Sequence, residues 1–155
     1  MKQIIMVKNN KGGIGKTFVS INLADYLSKT TVNGKQASVL VLTDDGQNNI
    51  LAYSEEGSRL NFKEIKDLNY CLENLKLETF EIKPNIEFIP ISNSGISQIG
   101  KLNLVRWLEV IKKNYDYIII DSNAGLDNLT FLEKFDYWIA PLELTGLALN
   151  SLQDT

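Results

Sequence analysis

The sequence predicts an α/β protein, with a mostly parallel, twisted sheet flanked by helices. Three features of its 155 residues carry that prediction. Aliphatic runs at Ile4–Val7, Val39–Leu42 and Tyr117–Ile120 have no polar interruption, as expected for parallel strands buried on both faces. Segments whose apolar residues recur three and four apart alternate with these runs. Between the first run and the first helical segment lies Asn9-Asn10-Lys11-Gly12-Gly13-Ile14-Gly15-Lys16-Thr17, a glycine-rich stretch in strand–loop–helix context.

Taken in order, Ile4–Val7 is the first strand and Lys16–Lys29 the first helix. Phe18, Ile21, Ala24 or Asp25, and Leu27 form the stripe of that helix, widened by Val19, Leu23 and Tyr26. Thr30–Lys35 is polar and contains Asn33-Gly34, a turn signal. The second strand, Val39–Leu42, runs into the polar segment Thr43–Asn49. Residues 53–61 read as loop, and Ile65, Leu68, Leu72 and Leu75 mark a helix over Phe62–Lys76. Ile86–Ile91, opened by Pro84, is the third strand, and Ser92–Gly100 a surface loop. Leu104, Trp107, Leu108 and Ile111 predict a helix over Lys101–Asn114, with Trp107 as a core residue. Tyr117–Asp121 is the fourth strand, followed by a loop over Ser122–Asn128 and a short helical segment, Leu129–Phe135. Tyr137–Ala140 is a fifth strand closed by Pro141, and Leu144–Leu152 begins a further helix. The whole chain, 1–155, reads as a single domain.

Composition removes several functions. Hydrophobic residues are 44% and charged residues 23%, an ordinary globular balance, and the net charge of −3 does not suggest a polyanion-binding surface. One cysteine, Cys71, and no histidine exclude a disulfide framework, a Cys/His zinc site and a serine–histidine nucleophile. Cys71 reads as a small apolar helix residue. No apolar run nears the roughly 20 residues of a membrane span, and the N-terminal apolar stretch is too short for a signal peptide. A cytoplasmic, soluble protein without a membrane-targeting segment is expected.

The glycine-rich stretch has the chemistry of a phosphate-binding loop. Gly12, Gly13 and Gly15 allow backbone N–H groups to approach an anion, and the helix that follows adds its positive end. Asn10 occupies the place where the usual pattern has its first glycine. Lys16 is placed to reach the β- and γ-phosphates of a nucleotide, and the Thr17 hydroxyl to bind the accompanying Mg²⁺. Asp121, an aspartate ending an aliphatic strand, is placed to hold that ion through a water. Without histidine, a carboxylate is the expected group for orienting an attacking water. Asp45 fits at the end of the second strand, with Asp44 as its competitor and Asn49 as a further polar group.

Lys11 through Thr17 resembles the deviant Walker-A loop of the ParA/MinD family of ATPases. Asp45-Gly46-Gln47-Asn48-Asn49 is similar to the family's Asp-Pro-Gln-Gly-Asn segment, and Tyr115–Asp121 to its Walker-B strand. Pro141-Leu142-Glu143 continues the likeness more faintly. The resemblance implies a P-loop NTPase fold that binds ATP with Mg²⁺ and hydrolyses it slowly. It implies a homodimer in the ATP-bound state, with Lys11 crossing to the partner's phosphates. Catalytic roles would fall to Lys11, Lys16 and Asp45, and nucleotide contacts to Lys11, Gly12, Gly13, Ile14, Gly15, Lys16, Thr17 and Phe18. Such proteins are switches that partition or position plasmid, chromosome or other cargo, with non-specific DNA or an adaptor protein as partner.

The sequence departs from the family pattern at defined places. Thr43 stands where the family usually has an acidic residue, leaving one carboxylate fewer near the metal. Gly46 replaces a proline, and Ser122-Asn123-Ala124-Gly125 replaces a proline-containing loop. Family members are usually longer, so C-terminal strands and helices are expected to be lacking here. A nucleotide-binding interaction module without turnover is the competing function. A metabolic phosphoryl-transfer relative is a further one, and a shared iron–sulfur cluster is disfavoured by the lone Cys71.

Overall fold

The computed structural model describes residues 3–7, 16–43, 66–91, 95–121 and 137–139. They form β1 (Gln3–Val7), α1 (Lys16–Ser28), β2 (Thr31–Val32), β3 (Lys35–Gln36), β4 (Val39–Thr43), α2 (Leu68–Asn74), β5 (Phe80–Lys83) and β6 (Ile86–Ile89). Then come α3 (Gln98–Ile111), a 3-10 turn (Lys112–Asn114), β7 (Tyr117–Asp121) and β8 (Tyr137–Ile139). Six strands make one sheet in the order β5-β6-β4-β7-β1-β8. Its pairings are parallel except for β5 with β6. The expected mostly parallel sheet flanked by helices is the observed architecture.

The pleat sorts the strand residues between two apolar layers. Leu40, Leu42, Ile118, Ile120 and Met6 pack with Leu68, Cys71 and Leu72 of α2 and with Leu104, Trp107 and Leu108 of α3. Val39, Val41, Ile119, Ile5 and Val7 occupy the other layer, with Ile21, Ala24 and Leu27 of α1. Both faces of β4 and β7 are therefore dry, which explains why their sequences lack alternation. Trp107 and Cys71 are core residues, as expected. The Trp107 indole N–H also donates to the Lys76 carbonyl at 2.7 Å, which ties α3 to the end of α2. Burial pushes the Cys71 thiol above its usual range.

Several expected boundaries shift. Helix α2 does not extend back through residues 66–67, because Asp67 is extended (φ −83°, ψ −174°) and its carboxylate accepts from the Tyr70 N–H as an N-cap. It also stops short of Lys76, at Leu75 in the left-handed region (φ 52°). Helix α3 starts earlier than Lys101, because Ser97 caps it by accepting from the Gly100 N–H. Gly100 is thus a helix residue rather than part of a loop. A Cβ there would meet Ile96 Cγ2 at 3.1 Å and Leu72 Cδ1 at 3.2 Å, so its bareness permits the close approach of α2. The helix itself ends at Ile111, and residues up to Asn114 tighten into a 3-10 turn.

Two hairpins enlarge the expected strand set. Asn33 (φ 52°) and Gly34 (φ 78°) form the two-residue connection between β2 and β3, so the turn signal closes a hairpin. Strand β5 was not expected, yet Phe80-Glu81-Ile82-Lys83 alternates apolar and charged residues as a half-buried edge strand should. Pro84-Asn85 turns it into β6, which ends at Ile89 rather than Ile91. In α1 the stripe is rotated: Phe18 and Tyr26 are 62% and 68% exposed, while Ser20 and Ser28 are buried beside Ile21, Ala24 and Leu27. The loops over 53–61 and 122–128, and the helical segments over 129–135 and 144–152, lie outside the described residues.

Candidate functional site at the carboxyl ends of three strands

Parallel pairing brings the ends of β1, β7 and β4 into one row. Val7 is the register partner of Asp121, and Asp121 is in turn the partner of Thr43. The three strands therefore end side by side, at Val7, Asp121 and Thr43. This carboxyl edge is where open α/β sheets bind ligands. At the opposite end, Asp116 accepts from the Ser38 N–H at 2.9 Å and from its hydroxyl at 3.2 Å, which fixes the start of β4 against β7.

Helix α1 returns from β1 across the face that carries Val41, Ile119 and Val7. The period of two along β7 places Asp121 on the same face as Ile119, towards α1. There the Ser20 hydroxyl donates to Asp121 Oδ1 at 3.0 Å. From the neighbouring strand, the Thr43 hydroxyl donates to the Asp121 carbonyl oxygen at 2.8 Å. All three residues are buried: Ser20 is 0%, Thr43 2% and Asp121 4% exposed. Asp121 is thus held at its carboxylate from α1 and at its backbone from β4.

Of the expected site residues, the structure describes the side chains of Asp121 and Phe18. Asp121 sits at the strand end, and Phe18 is exposed in the first turn of α1. Lys16 and Thr17 open α1, one turn ahead of Ser20. Their side chains lie outside the described residues, as do Lys11, Gly12, Gly13, Ile14, Gly15, Asp44, Asp45 and Asn49. Ser20 was absent from the sequence-based candidates. Its signal was a polar residue on the face that also carries Ile21 and Ala24, where burial asks for a partner. Thr43, which stands in place of the family's acidic residue, uses its hydroxyl for a structural bond to the Asp121 carbonyl oxygen.

The donor set suits a small hard cation bound together with phosphates. Among the described residues, no group of three or more acidic, histidine or cysteine side chains could hold a metal by itself. Mg²⁺ is commonly held by one or two carboxylates, with the rest of its shell from phosphate oxygens and water. A single buried, hydrogen-bonded carboxylate at Asp121 fits that manner of binding. Such an ion would neutralise phosphate charge as it develops.

A family model described as an AAA domain matches residues 2–155. The sporulation initiation inhibitor protein Soj of Bacillus subtilis is 31% identical over 98% of this chain and 62% of its own length. The septum site-determining protein MinD of Synechocystis is 31% identical over 82% of this chain and 47% of its own. The chain belongs to the ParA/MinD family of P-loop ATPases. A plasmid partition protein from Borrelia burgdorferi has the same fold, with TM-score 0.74 and 27% identity over 99% of this chain and 71% of that one. The chain spans about half to three-fifths of the curated relatives' length. Among the described residues, no helix is long and apolar enough to cross a membrane.

Proposed function

We propose that this chain is the nucleotide-binding part of a ParA-like positioning ATPase that binds ATP with Mg²⁺, pairs with a second copy and hydrolyses the nucleotide slowly. The observation that carries this reading is the row Val7–Asp121–Thr43, with α1 opening on Lys16-Thr17 and reaching Asp121 through Ser20. A phosphate-binding loop, a metal-holding carboxylate and a water-orienting carboxylate are needed within one nucleotide's length. In sequence, Lys11–Thr17 follows the strand that ends at Val7, Asp45 follows the strand that ends at Thr43, and Asp121 itself closes the strand between them. A related solved structure, 27% identical, is bound to AMPPNP, which supports an adenine nucleotide as ligand.

In this reading Lys16 and the amides of Gly12, Gly13, Ile14 and Gly15 hold the phosphates, with Phe18 beside them. Thr17 and Asp121 hold Mg²⁺, Asp121 through a water. Lys11 reaches the partner's nucleotide, and Asp45 orients the attacking water. The homodimer then engages non-specific DNA or an adaptor protein in the cytoplasm and moves cargo by release on hydrolysis.

Binding, dimerisation and turnover are separable tests. Lys16→Ala should abolish ATP binding, whereas Lys11→Ala should bind ATP but fail to dimerise with it, as read by sedimentation with and without DNA. Equal dimerisation of the Lys11 variant would overturn the switch. Thr43 favours a second reading, a nucleotide-binding module without turnover, since one acidic group is replaced at the strand end. Steady-state ATP hydrolysis that Asp45→Ala removes would dispose of that alternative.

A further inference from the structure

We propose that Ser20 is a positioning residue for metal-bound nucleotide, fixing the Asp121 carboxylate in the direction from which it holds Mg²⁺. The inference rests on the nucleotide-binding reading above and adds a residue to it. Serine is a poorer helix former than alanine, so a serine in the middle of α1 is not explained by helix propensity. Ser28, on the same helix, uses its hydroxyl locally, donating to the Asp25 carbonyl at 2.8 Å. The Ser20 hydroxyl instead spans 101 positions of sequence to Asp121 Oδ1.

The geometry makes this contact more than a means of satisfying a buried acid. An aspartate side chain has two free torsions, and a donor on one oxygen restricts both. The Thr43 hydroxyl on the Asp121 carbonyl holds the backbone from which those torsions start. Mg²⁺ tolerates little departure from octahedral geometry, so the water through which Asp121 holds it has a fixed place, and a carboxylate that wanders loses its hydrogen bond to that water. Ser20 also belongs to the helix that opens with Lys16 and Thr17, one turn away. One helix therefore carries both Ser20 and the Lys16-Thr17 pair that the proposed function assigns to phosphate and metal.

The test is Mg²⁺ titration of fluorescent ATP-analogue binding by the full chain. Wild type, Ser20→Ala, Ser20→Thr and Ser28→Ala are compared, each also titrated with nucleotide in EDTA and melted. Ser20→Ala should raise the Mg²⁺ concentration at half-maximal binding by about tenfold, as for loss of a hydrogen bond that orients a metal-holding group. Its affinity in EDTA should remain that of wild type. Ser20→Thr, which keeps the hydroxyl, should return the midpoint towards the wild-type value. Ser28→Ala removes another buried helix hydroxyl and should lower the melting temperature without moving the Mg²⁺ midpoint.

An unchanged midpoint in Ser20→Ala, with wild type binding nucleotide in a Mg²⁺-dependent way, overturns the positioning role and leaves the proposed function standing. Equal weakening with Mg²⁺ and in EDTA overturns it too, since that is the mark of a general structural defect. A folded Ser20→Thr that stays as impaired as alanine has the same meaning. Wild type that binds no nucleotide overturns both proposals together.

Discussion

Replacing Thr43 by aspartate should restore the family's acidic residue and destabilise the metal-free protein. Thr43 and Asp121 are register partners on adjacent parallel strands and share the face towards α1. Neighbouring strands lie about 4.8 Å apart, so two carboxylates here would sit roughly 5 Å from each other. At an effective dielectric of about 20 their repulsion is about 3 kcal/mol. Both positions are buried, so desolvation adds to this repulsion, and protonating one of them, at about 4 kcal/mol at pH 7 from a reference pKa of about 3.9, caps the deficit. At pH 5 protonation costs only about 1.5 kcal/mol and becomes the cheaper escape. The variant's deficit should shrink as pH falls, because the folded pair takes up a proton more readily than the unfolded chain. Thr43→Asn is the control of equal size that also loses the hydroxyl bond to the Asp121 carbonyl. Thermal unfolding in EDTA without nucleotide should place Thr43→Asp roughly 6–12 °C below Thr43→Asn at pH 7. The gap should be about half as wide at pH 5. Equal melting temperatures at pH 7, or a gap that ignores pH, would show that the two positions do not face each other as the register requires.

Two further outcomes test the packing behind the site. Trp107→Phe removes the 2.7 Å bond to Lys76 and part of a ring that is 1% exposed, so urea unfolding should show a loss of about 2 kcal/mol at constant m-value. A loss within experimental scatter of zero would mean that α3 is not anchored there. Burial, followed by the neighbouring Glu87 charge, holds the Tyr115 phenol well above its usual range, and its hydroxyl donates to Glu87 Oε1 at 3.1 Å. A raised acid pKa in the fold gives stability that is intact below the unfolded value of about 10 and is lost as pH climbs beyond it. Tyr115→Phe should therefore be less stable than wild type at neutral pH, with the difference narrowing in alkali. Parallel stability curves for the two proteins would contradict this.

Much of the molecule could be read before its structure. The interiors of β1, β4 and β7 are aliphatic because both sheet faces are covered there, and the buried polar residues of β4 and β7, Thr43 and Asp121, come at the strand ends. Their ends at Val7, Thr43 and Asp121 coincide with the change from apolar to polar sequence. Helix ends were harder, because they are set by single side chains. Asp67 and Ser97 each cap a helix, yet nothing local ranks them above other polar residues nearby. Strand β5 was missed because a four-residue alternation next to a turn is a short signal, and its pairing with β6 supplies what the sequence alone lacks.

The chain by itself determined an α/β sheet, a glycine-rich loop with Lys16 and Thr17 opening a helix, and an aspartate closing a strand. Each is a local property, set by periodicity, glycine content or a change in polarity over a few residues. Only the tertiary structure decided which strands are neighbours, and so that Thr43 and Val7 flank Asp121 on either side. It alone showed that Ser20, in the middle of a helix, is bonded to that aspartate. Strand order and cross-element hydrogen bonds depend on how the elements pack. Residues 101 positions apart carry no mark of their partnership until burial forces each to find one.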